Sequence, residues 1–423
     1  MTATRPKKVL ITGSSGYVGQ HLISSLLADG YTDKSDESDD HPTDDDDDDG
    51  GHDGDRDDDD GGRPRYELYL SYRSLPTFEV ALDRLISSLD VESESSRARG
   101  GTRRRRRRRR RPAAARVVRT IPGVDFSRPG YLDDVRRGAR GEGGDCEDAK
   151  FDAIVHLAAI SSPAKCEEDP GLAYEVNCPA DLLELGAPVI YASTDQVYDG
   201  TKPFNEEDAD IPNPANVYGR TKLSFERALL ATPGGGHVAL RCSLVLGPPA
   251  PMGGAHPTFL QFVEGRLNDS IPTDYYVDEW RSCVHVDDVV RAMRHFLDDV
   301  LYHGGGGGEG GGGGAKRGAG SNATATEDTT TTNDMRVYNL GGRTRASRHE
   351  MAAAVASRLK SDPSSINAMS RPRDAFPPSP PDISMNVDKI TRELFGGGGG
   401  GATMMGLEEI VASTFPLAAP RGR

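Results

Sequence analysis

The chain has 423 residues and a formal net charge of −15, yet residues 33–60 alone carry 17 Asp or Glu against Lys34 and Arg56, which is that whole excess. The remainder is balanced, so the acidic pI says nothing about the partner of a folded part. No stretch is long and apolar enough to span a membrane, and five scattered cysteines (Cys146, Cys166, Cys178, Cys242, Cys283) without C-x-x-C spacing fit a reducing compartment and argue against a structural metal.

Val9, Leu10 and Ile11 predict a buried strand, and Leu22, Ile23, Leu26 and Leu27 follow at helical spacing. Gly13-x-x-Gly16-x-x-Gly19 therefore sits where a strand hands over to a helix. There a backbone without Cβ lets a pyrophosphate approach, and free N–H groups at the helix start bind it. The spacing is not G-x-G-x-x-G, and a plain βα turn is the alternative at this point. A first strand starting near residue 8 leaves no room for a signal or transit peptide, so a soluble, cytoplasmic protein is expected.

After the acidic stretch, residues 66–74 predict a second strand and 76–90 a helix; nine consecutive arginines occupy 103–111. Residues 123–126 end a third strand, 151–159 form a fourth, 170–186 a helix, 188–198 a fifth strand, 216–230 a helix, 237–247 a sixth strand and 337–342 a seventh. Strands alternating with helices imply an α/β fold, a Rossmann-like doubly wound parallel sheet whose ligands bind at the carboxyl ends of the strands. Low-complexity inserts, about 33–63, 91–112 and 303–333, fall between these elements and are expected to stay unfolded. Without them roughly 340 residues remain, more than one core usually holds. The expected division is a main domain, 7–249 with 284–342, and a smaller discontinuous C-terminal substrate domain, 250–283 with 343–420. The arginine run has no interleaved aromatics and reads as a solvated loop rather than a nucleic-acid site.

The sharpest chemical signal is NVYGRTKLSFERALL, where Tyr218 and Lys222 lie one helical turn apart on one face. A neighbouring ammonium stabilises a phenolate, which makes a tyrosine a workable proton donor to a carbonyl oxygen under reduction. Ser193 and Thr194 lie near the carboxyl end of the fifth strand, where a hydroxyl can hold that oxygen or merely cap a turn.

TGSSGYVG, DAIVHLAA, YASTDQVYDG and YGRTK come in this order. Together they resemble the extended short-chain dehydrogenase/reductases. STDQVYDGTKPFNEEDADIPNPANVYGRTKLSFERALL, KCEEDPGLAYEVN and RPRDAFPPSPPDISMNVDKI narrow this to the group of dTDP-4-dehydrorhamnose reductase (RmlD-like) and the regulatory beta subunit of methionine adenosyltransferase. The resemblance implies that Gly13, Ser15, Gly16 and Gly19 cradle a pyrophosphate, with Tyr17 and Val18 in the loop. It implies that Asp125 contacts adenine, that Ala158 and Ala159 line the cofactor cleft, and that Thr194, Tyr218 and Lys222 are the catalytic set, with Tyr218 and Lys222 also touching the cofactor. Asn177 is implied in ordering the proton-relay region.

The predicted second strand ends Ser71-Tyr72-Arg73-Ser74, with a cation where NAD sites place a carboxylate, so Arg73 and NADP are expected, with NAD as the alternative. Arg281 meets a substrate phosphate or forms an ordinary ion pair. His285 reads as structural, and Asp287 and Asp288 as N-capping residues rather than metal ligands; no metal is assigned. Gln196 departs from the tyrosine usual in the reductases and leaves the substrate open. Three functions follow: a reductase of a sugar nucleotide or a related carbonyl substrate, an NADP-binding regulator partnered with the methionine adenosyltransferase catalytic subunit, and a pseudoenzyme scaffold. Neither membrane nor nucleic acid is an expected partner.

Overall fold

The computed structural model describes residues 5–28, 65–73, 77–98, 115–140, 150–303, 335–372, 374–396 and 403–416. The insert at 33–63 lies outside them, as do most of the other two, Ser74 and Cys146. In chain order the elements begin β1 (Lys7–Thr12), α1 (Tyr17–Leu27), β2 (Tyr66–Tyr72), α2 (Phe78–Ala98), β3 (Ala115–Pro122), α3 (Tyr131–Arg140) and β4 (Ala153–His156). They continue α4 (Pro163–Glu168), α5 (Pro170–Asn177), β5 (Val189–Thr194), α6 (Val217–Ala231), β6 (Val238–Cys242), β7 (Val245–Leu246), α7 (Phe259–Asn268), β8 (Thr273–Tyr276) and β9 (Trp280–Arg281). The last are β10 (Val284–His285), α8 (Val286–Asp298), β11 (Arg336–Leu340), β12 (Ala346–Ser347), α9 (Arg348–Leu359), β13 (Ile366–Met369), α10 (Asp388–Phe395) and α11 (Leu407–Thr414).

Seven strands form one parallel sheet in the order β11-β6-β5-β4-β1-β2-β3. The fold is therefore the doubly wound one expected. Period-two alternation splits β1 between two layers: Val9 and Ile11 join a cluster with α1, α2 and α8, while Leu10 joins one with α3 and α6. From β1 the chain winds outward to β3 and then returns to β4 on the other side of β1. The strand order reverses there, which opens a crevice at the carboxyl ends of β1 and β4.

A third cluster joins Leu260 and Val263 of α7, Met351 and Val355 of α9, and Ile410 and Val411 of α11. These lie within the two segments assigned to the substrate domain. Within 343–420, however, Ile390 of α10 packs into the sheet layer of α1 and α8, and Ile383 and Met385 pack on Tyr198 and Leu223. The stretch 383–395 thus returns to the main body.

Several element readings change. The sixth strand, expected over 237–247, stops at Cys242, and Val245–Leu246 pair with β10 outside the main sheet. β3 ends at Pro122, so residues 123–126 follow the strand, beginning with Gly123 at φ 76. The second helix continues to Ala98. The helix expected over 170–186 stops at Asn177, because Pro179 lacks an N–H and biases Cys178 away from helical geometry; a 3-10 turn, Ala180–Leu185, follows.

Candidate active site

The loop after β1 brings backbones together. Gly13 has φ +66, and a Cβ on it would lie 2.7 Å from the Ala158 nitrogen beyond β4. Gly19 sits inside α1, where a Cβ would lie 2.6 Å from the Gly13 oxygen. It does not line the cleft; it lets α1 approach the loop. No side chain caps the start of α1, so its first N–H groups are open to an anion. The two close approaches fold the loop tightly against β4 and α1, and its uncapped helix start suits a phosphate.

A cleft of about 540 Å³ lies over it, within the range of small-molecule and cofactor sites. Gly13, Ser15, Gly16 and Tyr17 line one part, Arg73 and Asp125 another, and Ala158 and Ala159 a third. Burial works against the Asp125 carboxylate, but hydrogen bonds from Ser127, then the charges of Arg73 and Arg128, hold its pKa below the usual value.

Leu157, Ala159, Ser161 and Val245 are shared with a second pocket of about 330 Å³, so the two adjoin. The second is lined by Val18, Thr194, Gln196, Tyr218 and Lys222, with Arg281 and Arg348. Asn216 seats the helix that carries the tyrosine and lysine. Its Oδ1 accepts from the Gly219 N–H at 2.8 Å as the N-cap of α6, and its Nδ2 donates to Gln196 Oε1 at 2.6 Å and to the Pro378 oxygen at 3.0 Å.

Lys222 is buried, its Nζ lying 4.2 Å from the centre of the Tyr191 ring, and burial pushes its pKa down to about 7. Burial raises the Tyr218 phenol above its ordinary value, against a hydrogen bond with Thr194. The expectation that the lysine lowers the tyrosine pKa is thus not met; desolvation of the phenol sets the direction.

Of the two strand-end hydroxyls, Ser193 is occupied: it donates to the buried Glu226 carboxylate, which also pairs with Arg241 at 2.8 Å. Thr194 Oγ1 accepts from the Gln196 N–H and donates to Asp195 Oδ1, each at 3.2 Å. Asp195, passed over in the sequence although it follows Thr194 directly, also lines the pocket. Burial raises its pKa, opposed first by Arg281 and then by the Ser243 hydroxyl at 2.8 Å.

Arg281 forms the ion-pair alternative, with Glu279 at 3.0 Å, and it also lines the pocket. His285 is structural, but it is itself the cap of α8, accepting from the Asp287 N–H at 3.1 Å. Asp288 is instead buried, binding Arg291 at 2.7 Å and the Met405 N–H at 2.9 Å. Asn177 bridges the Ile160 backbone, at 2.7 and 3.2 Å, to Thr221, the neighbour of Lys222, at 3.0 Å. Among the described residues no helix is long and apolar enough to cross a membrane, and Cys166, Cys178, Cys242 and Cys283 are unpaired.

Residues 144–304 match the family RmlD substrate binding domain, in agreement with the resemblance drawn from the motifs. Methionine adenosyltransferase 2 subunit beta of Bos taurus is 34% identical over 151 residues, covering 34% of this chain and 44% of that protein. dTDP-4-dehydrorhamnose reductase of Sinorhizobium fredii is 43% identical over 104 residues, covering 23% of this chain and 35% of that protein. The chain thus spans less than half the length of the curated relatives it matches. Among solved structures, dTDP-4-dehydrorhamnose reductase from Bacillus anthracis in complex with NADP is similar in fold, with a TM-score of 0.57 at 14% identity, covering 96% of this chain and 98% of that one.

Proposed function

We propose that this chain is an NADP(H)-dependent oxidoreductase of the RmlD-like kind that reduces the keto group of a sugar nucleotide. The observation that carries the reading is the pair of adjoining pockets, a phosphate cradle at one end and Thr194, Tyr218 and Lys222 at the other. The cofactor-binding residues on this reading are Gly13, Ser15, Gly16, Tyr17, Val18, Arg73, Asp125, Ala158 and Ala159, with Gly19 supporting them. The described residues within 7–249 and 284–342 make the cofactor body, and those within 250–283 and 343–420 the cap, apart from the stretch 383–395.

NADPH, when bound, supplies the hydride. Thr194 Oγ1 holds the substrate carbonyl oxygen for Tyr218, whose raised pKa keeps the phenol protonated at neutral pH and ready to donate. Lys222 stabilises the phenolate left behind. Arg281 and Arg348 place two guanidinium groups on the pocket wall against Glu279, which suits the diphosphate of a nucleotide. Arg73, exposed at the end of β2, supports NADP over NAD because a carboxylate is missing there. The unpaired cysteines support a cytoplasmic location.

A second reading, an NADP-binding regulator of methionine adenosyltransferase with little turnover, is favoured by the similarity to that enzyme's beta subunit and by Gln196, which is tied to Asn216. NADPH oxidation by the purified chain over a panel of 4-keto sugar nucleotides tests the first reading. Oxidation with one of them supports it. NADPH binding without oxidation, together with capture of the methionine adenosyltransferase catalytic subunit, transfers the conclusion to the second.

A further inference from the structure

Residues 254–258 line the wall of the larger cleft that the glycine loop does not form. They end a strap, residues 247–258, stiffened by Pro248, Pro249, Pro251 and Pro257, with Gly253 at φ +69 and Gly254 at φ +70. Two side chains of α1, three residues apart and so on one face, hold the strap. The Tyr17 hydroxyl donates to the Pro248 oxygen at 2.8 Å. Gln20, with no exposed surface, uses its whole amide. Its Nε2 donates to the Ser15 oxygen at 2.8 Å and to the Gly253 oxygen at 2.9 Å, and its Oε1 accepts from the Met252 N–H at 2.8 Å.

One buried side chain thus joins the phosphate loop to the strap. The Ser15 carbonyl and the Gly16 N–H share a planar peptide, so holding the carbonyl also fixes that peptide in the loop. An apolar residue in place of Gln20 would remove all three of these hydrogen bonds from the junction, leaving the strap to Tyr17 and to Gln261, whose Nε2 donates to the Gly247 oxygen at 2.8 Å.

We propose that Gln20 is a positioning residue for the dinucleotide, seating residues 247–258 as the second wall of the cleft and thereby coupling cofactor affinity to the order of the strap. This rests on the cofactor reading above. The coupling is reciprocal: if the strap tightens the cofactor, the cofactor tightens the strap.

The test uses the full chain. NADPH is titrated against wild type and Gln20→Met below both melting temperatures, and amide exchange at Met252 is followed in wild type with and without NADPH. The Kd and the KM for NADPH should each rise by at least about tenfold in Gln20→Met, the equivalent of losing two or three hydrogen bonds, while kcat falls far less. NADPH should slow exchange at Met252. A purely structural glutamine would lower the melting temperature and leave the Kd of the folded protein where it was, which would overturn the proposal. Exchange at Met252 that ignores NADPH in wild type overturns it without any variant having to fold. Wild type that binds neither NADPH nor NADH defeats the cofactor reading itself, and the wild-type titration alone shows which has failed.

Discussion

Lys222 gives the most quantitative test of the site. Its side chain is 2% exposed, and burial brings its pKa from 10.5 to about 7. A shift of that size corresponds to about 5 kcal/mol of differential interaction between the two protonation states. The sign follows from proton counting. Between pH 7 and pH 10 the unfolded chain holds the proton that the folded chain has lost, so stability rises with pH through this window. Below pH 7 both states carry the charge and the full penalty stays in place. The Tyr191 ring, 4.2 Å from Nζ, offsets roughly 0.5–2 kcal/mol of that penalty. Lys222→Met, close in volume and apolar, should therefore stabilise the protein by roughly 3 kcal/mol at pH 6 while abolishing turnover. The gain should shrink steadily toward pH 9. Urea unfolding of both proteins at pH 6, 7, 8 and 9 reads the difference, with other titrating groups cancelling between them. A variant less stable than wild type at pH 6, or a difference that does not change with pH, would refute the idea that this ammonium is held at a cost for chemistry.

Tyr218→Phe should lower turnover at least about 100-fold, the usual contribution of a positioned proton donor, while NADPH affinity changes only a few-fold; steady-state kinetics and a cofactor titration separate the two. Arg73→Ser should weaken NADPH by about tenfold and leave NADH nearly unaffected, since one charge-assisted contact to a phosphate is worth 1.5–3 kcal/mol by rough measure; equal losses for both cofactors would remove Arg73 from the 2′-phosphate. The buried Glu226–Arg241 pair lies behind the site, with Ser193 on the same carboxylate. Arg241→Met alone should cost about 3–5 kcal/mol because it strands a buried carboxylate, and adding Glu226→Met should recover part of that. Chemical denaturation of the two single variants and the double measures it, and strict additivity would contradict the pairing.

The fold was legible because its signals are local. Short apolar runs such as Val9-Leu10-Ile11 and helices with apolar repeats alternate along the chain, and one parallel architecture satisfies that order. The glycine triplet was legible for the same reason: Gly13 and Gly19 mark backbone approaches that only a residue without Cβ permits. Thr194, Tyr218 and Lys222 were found from spacing together with family motifs, and they share one pocket. What escaped depends on long-range contact. Nothing in VGQH announces that Gln20 reaches Met252 and Gly253 some 230 residues away. The charge state of Tyr218 escaped too, since spacing shows the nearby lysine and not the burial that raises the phenol's pKa. Ser193 and Thr194 read alike in sequence, and only the register of β5 against α6 gives Glu226 to the first. Asp288 looked like a cap because the residue that anchors it, Met405, lies more than a hundred positions later.

The central claim is that this chain reduces a carbonyl with a proton from Tyr218 and a hydride from its cofactor. Single-turnover reaction with NADPH deuterated at the transferable position, in the presence of 4-keto sugar nucleotides, tests it most directly. The account predicts one deuterium at the former keto carbon with wild type and almost none in the same time with Tyr218→Phe. Undeuterated substrate recovered from wild type, with NADPH bound and intact, would contradict it.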